Sequence, residues 1–336
     1  IGLDDTIIDD YKNKTILVTG AAGSIGSEIV RQLSKCEPTS IVMVDINESA
    51  LHDFHLELGK SRNIFFNVCD ISIESELERV FESYDKFDFL FHAAAYKHVP
   101  IVEVNPYPAL RVNLLGTRNL CELALKYSVS NFTLVSTDKA VNPTNLMGAS
   151  KRIAELLTLY YGQYIESLNF RCTRFGNVLG SRGSAIPLFI EQIRNGGPIT
   201  LTSKEMTRYF MTIPEAAQLV VVSATLEEEQ GIFLFDMGSP IKLTEILENL
   251  ISYYEKNDIS LAVTGLREGE KLYEELNQKH EELLPTLNDK INIVRTKSIS
   301  KEIIYKVNNL IDLYDSLTIE DIKSNIEEIL PEYSKF

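Results

Sequence analysis

Short unbroken apolar runs alternate along the chain with longer stretches whose apolar positions recur every three or four residues. KTILVTG (14–20) is followed by SIGSEIVRQLSK (24–35) and then by SIVMVD (40–45). The alternation continues through IFFNVCD (64–70), FDFLFHAAA (87–95) and NFTLVST (131–137). Apolar runs of this length predict strands buried on both faces, and the periodic stretches predict helices that cover them. Strands alternating with helices predict an α/β fold with a doubly wound parallel sheet over residues 14–180.

Beyond residue 180 the pattern loosens into loops rich in Gly, Pro and charge, such as GSRGSAIP (180–187), RNGGPIT (194–200) and TGLREGEKL (264–272). Helical periodicity returns in KLTEILENLISYYEK (242–256), near 300–314 and over 318–329. Residues 181–336 are therefore expected to form a smaller α+β region, with GIFLFDMG (231–238) returning as a strand to the first sheet. The opening residues 1–13 read as a linker, and the chain begins with Ile1.

Composition narrows the function. A net charge of −15 argues against a broad phosphate-backbone contact, because nucleic-acid binders need clustered Lys and Arg on one face. Any anionic ligand must be held by local cations and backbone N–H groups. No apolar run reaches the length of a membrane span, and no basic-then-apolar signal segment is present. Cys36, Cys69, Cys121 and Cys172 lie far apart, which suggests neither a disulfide framework nor a metal site and fits a reducing cytosol.

The first candidate chemistry is the turn Gly20-Ala-Ala-Gly23-Ser24-Ile25-Gly26, between a predicted strand and a predicted helix. Glycines there allow a tight turn and bring a pyrophosphate to the helix N-terminus, the arrangement of a Rossmann-like dinucleotide site. Asp45 ends the second strand, where a carboxylate accepts from both ribose hydroxyls and repels a 2′-phosphate, favouring NAD over NADP. Asp70 and Ile71 end the third strand near the expected adenine. Ala93 and Ala94 follow His92 and leave room for the cofactor, while His92 itself reads as a packed strand residue.

Five longer segments carry a resemblance: AAYKHVPIVEVNPYPALRVNLLGT (94–117), STDKAVNPTNLMGASKR (136–152), TRFGNVLGSRGSAIPLF (173–189), EMTRYFMTIPEA (205–216) and REGEKLYEEL (267–276). With the glycine turn they resemble the extended short-chain dehydrogenases/reductases, and more closely the UDP-N-acetylglucosamine 4,6-dehydratases of bacterial surface-glycan synthesis. That superfamily carries a tyrosine four residues before its active-site lysine. Counting back from Lys151 lands on Met147, a residue found in the retaining, membrane-anchored kind of dehydratase. The resemblance implies a cytoplasmic catalytic fragment, its parent anchored at the inner face of the membrane, and a homo-oligomer of two or more copies.

The implied reaction passes the C4 hydride of the sugar to NAD⁺, eliminates water across C5–C6 and returns the hydride to C6, without a metal. Elimination needs a base at C5 and an acid at the C6 hydroxyl. Thr137-Asp138-Lys139 supplies them, with Asp138 as a pre-protonated acid, Lys139 as a neutral amine base, and a shared proton as the alternative. Water, Thr137 or Asp138 takes the O4 proton in place of tyrosine, and Lys151 binds the nicotinamide ribose. For the diphosphate, Arg208 and Arg267 are the first candidates, Arg182 and Lys271 the second. The resemblance adds Asn177 at the diphosphate, Lys97 in the sugar pocket and Glu270 at the uridine ribose. The base, uracil or guanine, stays open, as does the C5 configuration. An epimerase of the same superfamily and a non-catalytic NAD-binding protein are the alternatives.

Overall fold

The computed structural model describes residues 3–334 except 60, 165–167, 229, 257, 280 and 297; Ile1 and Gly2 of the expected linker lie outside the described residues. Strands β1 (Thr15–Thr19), β2 (Ser40–Asp45), β3 (Ile64–Val68), β4 (Phe89–His92) and β5 (Asn131–Val135) form where the apolar runs predict them, whereas β6 (Asn169–Arg174) is a strand that no apolar run announced, because Arg171 and Arg174 interrupt its pattern. They are parallel, in the order β3-β2-β1-β4-β5-β6. The returning strand is β7 (Gly231–Phe235), parallel to β6. Two further strands, β8 (Leu283–Pro285) and β9 (Ile291–Val294), extend the edge as β8-β9-β7, with both new pairings antiparallel.

Both faces of this nine-stranded sheet are covered, which is why most of its strands read as apolar runs. Ile16 and Val18 pack on one face with Ile29 and Val30 of helix α2 (Ser24–Leu33) and with Val220 and Val221. Leu17 packs on the other with Leu77, Leu120 and Ala154. The expected linker is in part a short helix, α1 (Asp5–Tyr11). Its Tyr11 is fully buried 4.6 Å from Phe89, and the phenol donates to the Val221 carbonyl at 2.7 Å.

The packing does not divide at residues 180 and 181. The smaller unit is built from helices Ala185–Arg194 and Leu243–Tyr253 around Phe189, Ile193, Ile199, Met206 and Leu247. Helices α4 (Lys301–Leu313) and α5 (Ile319–Ile329), expected with it, instead bury Ile304, Leu310, Ile322 and Ile326 against α3 (Leu146–Gly162) of the large unit. Amphipathic periodicity announces that a helix has an apolar face and says nothing about which partner covers it.

Helix α3 is bound to the sheet by charge as well as by apolar packing. Glu155, fully buried, accepts from Arg174 of β6 at 2.7 and 2.8 Å, from Ser136 at 2.7 Å and from Arg152 at 3.0 Å. Arg174, also fully buried, reaches Glu281 at 2.9 Å. Burial alone would push the Glu155 carboxyl up, but Arg174 and the other donors bring it down to about 2. Its stabilising contribution is therefore complete above the ordinary value of 4.5 and is lost as the pH falls through about 2. Replacing Glu155 with Gln leaves Arg174 short of a counter-charge, and breaking such a buried pair costs about 3–5 kcal/mol. Urea unfolding at neutral pH should show a loss of that size, with the gap closing below about pH 3.

Candidate active site

The strand order reverses beside β1, and the crevice that this opens is the ligand position of doubly wound sheets. A cleft of about 680 Å³ lies there, within the usual range for small-molecule sites. Gly20, Gly23, Ser24, Ile25, Gly26 and Ala93 line one end. Gly20 has φ +63°, and a side chain at Gly26 would meet the Gly20 carbonyl oxygen at 2.2 Å. The turn is thus a tight cradle at the N-terminus of α2, shaped for backbone approach by a pyrophosphate.

Asp45 caps that turn by accepting from the Ala22 N–H at 3.0 Å. Asp45, Asp70, Ile71 and Ala94 stand at or just past the ends of β2, β3 and β4, outside the lining of the cleft. Asp70 accepts from Ser72 at 2.6 Å and approaches Arg111 at 3.5 Å, and Ile71 is buried. His92 is also buried, its ring nitrogens 2.8 Å from the Thr19 hydroxyl and 2.9 Å from that of Thr117. It is a satisfied core residue.

The cleft also gathers seven cations, Lys97, Lys139, Lys151, Arg182, Arg208, Arg267 and Lys271, against two acids, Glu270 and Glu274. In a chain of net charge −15 this is a local reversal of sign suited to an anionic ligand. The cations are not equally available. Arg182 and Arg267 are exposed, and the Arg182 amide donates to the Ser24 hydroxyl at 3.2 Å. Arg208 is buried and makes three hydrogen bonds to the carbonyls of Thr207, Lys271 and Leu272, so it clamps the 267–272 loop more than it offers a fork to phosphate. Lys271 is likewise tied, to the Val141 carbonyl at 2.9 Å and to Glu275. Lys97 reaches the Ser181 hydroxyl at 3.4 Å. Glu270 accepts from the Arg267 amide at 3.2 Å.

Met147 and Lys151 lie on the first turns of α3, both buried and both lining the cleft. Met147 packs with Val102, Leu146 and Ile153 and presents a thioether where the resemblance expects a phenol. Gly148 lets this turn approach the preceding segment, since a side chain there would meet the Lys139 carbonyl oxygen at 2.2 Å. Asn145 caps the helix by accepting from Gly148 and donates to the Gly269 carbonyl at 2.9 Å, joining the helix to the 267–272 loop. Burial lowers the Lys151 ammonium to about 8, with Glu155 opposing that fall.

Thr137 and Lys139 line the cleft, but Asp138 does not: its side chain is fully buried behind them. Asp138 Oδ1 accepts from the Thr137 hydroxyl at 2.8 Å and from Lys139 at 3.0 Å. Lys139 also donates to Asn177 Oδ1 at 3.1 Å and stands 3.5 Å from Glu274. Burial pulls the Lys139 ammonium down, yet Asp138 and Glu274 outweigh it and hold the group above its ordinary value. The expectation of a neutral Lys139 thus meets an amine held as an ammonium 3.0 Å from the Asp138 carboxyl. Asn177, expected at a diphosphate, supports Lys139. Glu274 went unrecognised in the sequence because one glutamate among four in REGEKLYEEL carries no mark of its own.

The sequence profile described as polysaccharide biosynthesis protein matches residues 16–296. The chain belongs to this family. It is 47% identical over 288 residues to the capsular polysaccharide biosynthesis protein CapD of Staphylococcus aureus, covering 84% of this chain and 48% of CapD. Over 300 residues it is 44% identical to the probable polysaccharide biosynthesis protein EpsC of Bacillus subtilis, covering 87% and 50%. The chain thus spans about half the length of these curated relatives. A UDP-glucose 4-epimerase of Rickettsia massiliae is 33% identical over 279 residues, covering 81% of this chain and 80% of the epimerase. Among solved structures, Pen from Bacillus thuringiensis matches with a TM-score of 0.78 at 33% identity, covering 87% of this chain and 92% of Pen. The dTDP-glucose 4,6-dehydratase DesIV of Streptomyces venezuelae, solved with NAD bound, shares the fold at a TM-score of 0.70 and 24% identity, covering 78% and 88%. This member of the polysaccharide biosynthesis protein family has the extended short-chain dehydrogenase/reductase fold. Among its described residues no helix is long and apolar enough to cross a membrane.

Two variants probe the first turns of α3. Met147→Leu swaps one apolar side chain for another of similar volume and should cost under about 1.5 kcal/mol of stability, with turnover near that of the parent. Lys151→Met removes a buried ammonium whose fall from 10.5 to about 8 corresponds to at most ~3 kcal/mol. Below pH 8 the Met variant should melt at a higher temperature than the parent. The difference should shrink between pH 8 and 10.5, where the native parent has already lost the proton that its unfolded chain keeps.

Proposed function

We propose that this chain catalyses the NAD-dependent 4,6-dehydration of a UDP-N-acetylhexosamine, with UDP-N-acetylglucosamine as the first candidate, in bacterial surface-glycan synthesis. The observation that carries this reading is that Thr137 and Lys139, backed by the buried Asp138, line the same cleft as Lys151, with Met147 in place of a phenol. The printed names of CapD and EpsC support a role in polysaccharide synthesis. The glycine cradle and Asp45 would hold NAD, with Lys151 at its nicotinamide ribose. Bound NAD⁺ supplies the acceptor for the C4 hydride and the donor that returns it to C6.

The residues divide the proton transfers. Asp138, ionised at the outset, takes the O4 proton through the Thr137 hydroxyl, which lies between it and the cleft. It then returns that proton through the same Thr137 hydroxyl to the departing C6 hydroxyl, which leaves as water. Lys139, as a neutral amine, removes the C5 proton that the C4 ketone has acidified, and later returns it to C5. Proton transfer by a positioned group is worth about 10²–10⁴-fold, so moving the tyrosine's task to Asp138 keeps the reaction feasible. Arg267 and Arg182, exposed cations of the cleft lining, would meet the diphosphate.

Incubation with UDP-N-acetylglucosamine and NAD⁺, followed by NMR, should show a 4-keto-6-deoxy product lighter by one water. A product of unchanged mass would instead favour a 4-epimerase, the reading that the Rickettsia relative's name supports. Lys139→Met should still oxidise C4, giving reduced-nicotinamide fluorescence and a 4-keto sugar whose C5 hydrogen does not exchange with deuterated water. Asp138→Asn should give no fluorescence at all, because the O4 proton has no acceptor. Rapid C5 exchange in Lys139→Met, or undiminished fluorescence in Asp138→Asn, would reverse these assignments.

A further inference from the structure

The proton count of the proposed reaction leaves one proton without a place. Asp138 must begin ionised to accept from O4, and Lys139 must be neutral to accept from C5. In the structure Lys139 is an ammonium, pinned by Asp138 at 3.0 Å and by Glu274 at 3.5 Å. Its extra proton cannot go to Asp138, which would then have no room for the O4 proton. Solvent is a poor recipient once a nucleotide sugar fills the cleft.

Glu274 is built to take it. Its side chain is only 3% exposed, and it lines the cleft. Oε1 faces both Lys139 and Arg208, the latter at 3.7 Å, while Oε2 is buried and has no hydrogen-bond partner among the described residues. An unpaired oxygen on a buried carboxylate is costly, and a proton lowers the cost. Asp138 Oδ2 is unpartnered as well, but Asp138 Oδ1 accepts hydrogen bonds from Thr137 and Lys139, whereas Glu274 Oε1 has only the two ion-pair contacts, so of the two carboxyls Glu274 is the one with less to hold its charge. The charged surroundings are balanced. Asp138 lies 3.0 Å from Lys139, Glu270 stands 4.0 Å from Arg208, and burial, helped by the Lys139 charge, lowers the Lys97 ammonium. Excluding water from such a group disfavours the ammonium–carboxylate pair relative to the neutral amine and acid.

We propose that Glu274 is a positioning residue that holds the Lys139 proton throughout turnover, leaving Lys139 the neutral base at C5 and Asp138 free to accept from O4. This rests on the dehydratase reading. The steps balance. The Lys139 ammonium gives its proton to Glu274 as the sugar binds. The O4 proton passes to Asp138 as the C4 hydride departs, and Lys139 takes the C5 proton. Asp138 gives its proton to the C6 hydroxyl, which leaves as water, and the hydride returns to C6 as Lys139 returns its proton to C5. At the end Asp138 is ionised, Lys139 is neutral and Glu274 is still protonated, the state that sugar binding set up, and product release lets the proton return from Glu274 to Lys139. The only net change is the loss of water from the sugar.

The test compares pH profiles of UDP-N-acetylglucosamine dehydration by the parent and by Glu274→Gln. With the reservoir internal, the parent rate should be flat across neutral pH. In the Gln variant the proton must leave to water, so the rate should rise about tenfold per pH unit until Lys139 is neutral. At neutral pH the variant should accumulate reduced nicotinamide without C5 deuterium exchange. NAD retention should match the parent. A Gln variant whose rate is merely scaled down at every pH, or whose C5 exchange persists at neutral pH, overturns the proposal. If the Gln variant does not fold, difference infrared spectra of the parent labelled with ¹³C-glutamate decide. A protonated glutamic acid band should appear on adding UDP-N-acetylglucosamine, and its absence overturns the proposal. Failure of the parent to release water removes the dehydratase reading itself, whereas a dehydrating parent with an unaltered Gln profile removes only Glu274.

Discussion

The buried contact between Glu155 of α3 and Arg174 of β6 is the constraint on which the cleft depends. It ties the helix that carries Met147 and Lys151 to the strand that leads into Phe175 and Asn177, and through Ser136 it reaches the segment before Thr137-Asp138-Lys139. A buried ion pair of this kind need not add net stability over an apolar substitute. Its value lies in direction, because a two-pronged arginine–carboxylate contact allows one relative placement of helix and strand where methyl groups would allow several.

From that placement the remaining geometry follows. Gly148 brings the first turn of α3 against the Lys139 carbonyl, and Asn145 passes the same alignment to the 267–272 loop through Gly269. Arg208 then locks that loop by its carbonyls, which sets Glu274 beside Lys139. Residues from four separated segments thus share one small volume, and their charges can only be understood together. Lys139 illustrates this, since burial and two carboxylates pull its proton affinity in opposite directions and the carboxylates prevail.

In the proposed reaction, the chemistry of a dehydrogenase fold that carries Met147 turns on this cluster. Losing a phenol removes one proton acceptor, and the structure offers two buried carboxylates, each with one unpaired oxygen, on either side of a lysine. The acidity of the chain as a whole is no obstacle to an anionic substrate, because the cleft has its own excess of cations. Surface charge and site charge are separate designs, the first serving solubility and the second recognition.

Much of this protein was legible in its sequence, because the information was local. Strands covered by helices read as apolar runs, so β1 to β5 and β7 announced themselves while β6, interrupted by Arg171 and Arg174, did not, and the glycine turn gained its meaning from standing between a strand and a helix. Met147 four residues before Lys151 likewise needed only counting. What the sequence left undetermined were relations between distant segments. Helices α4 and α5 carry an apolar face that suits any partner, and only packing assigned them to α3. Arg208 looked free to bind phosphate until the carbonyls of the 271–272 backbone took up its donors. Asp138 and Lys139 looked like a protonated acid and a neutral base until the fold enclosed them with Thr137, Asn177 and Glu274. A protonation state depends on the summed field of every group within a few ångströms, and most of those groups are far away along the chain, so only the tertiary structure could decide it.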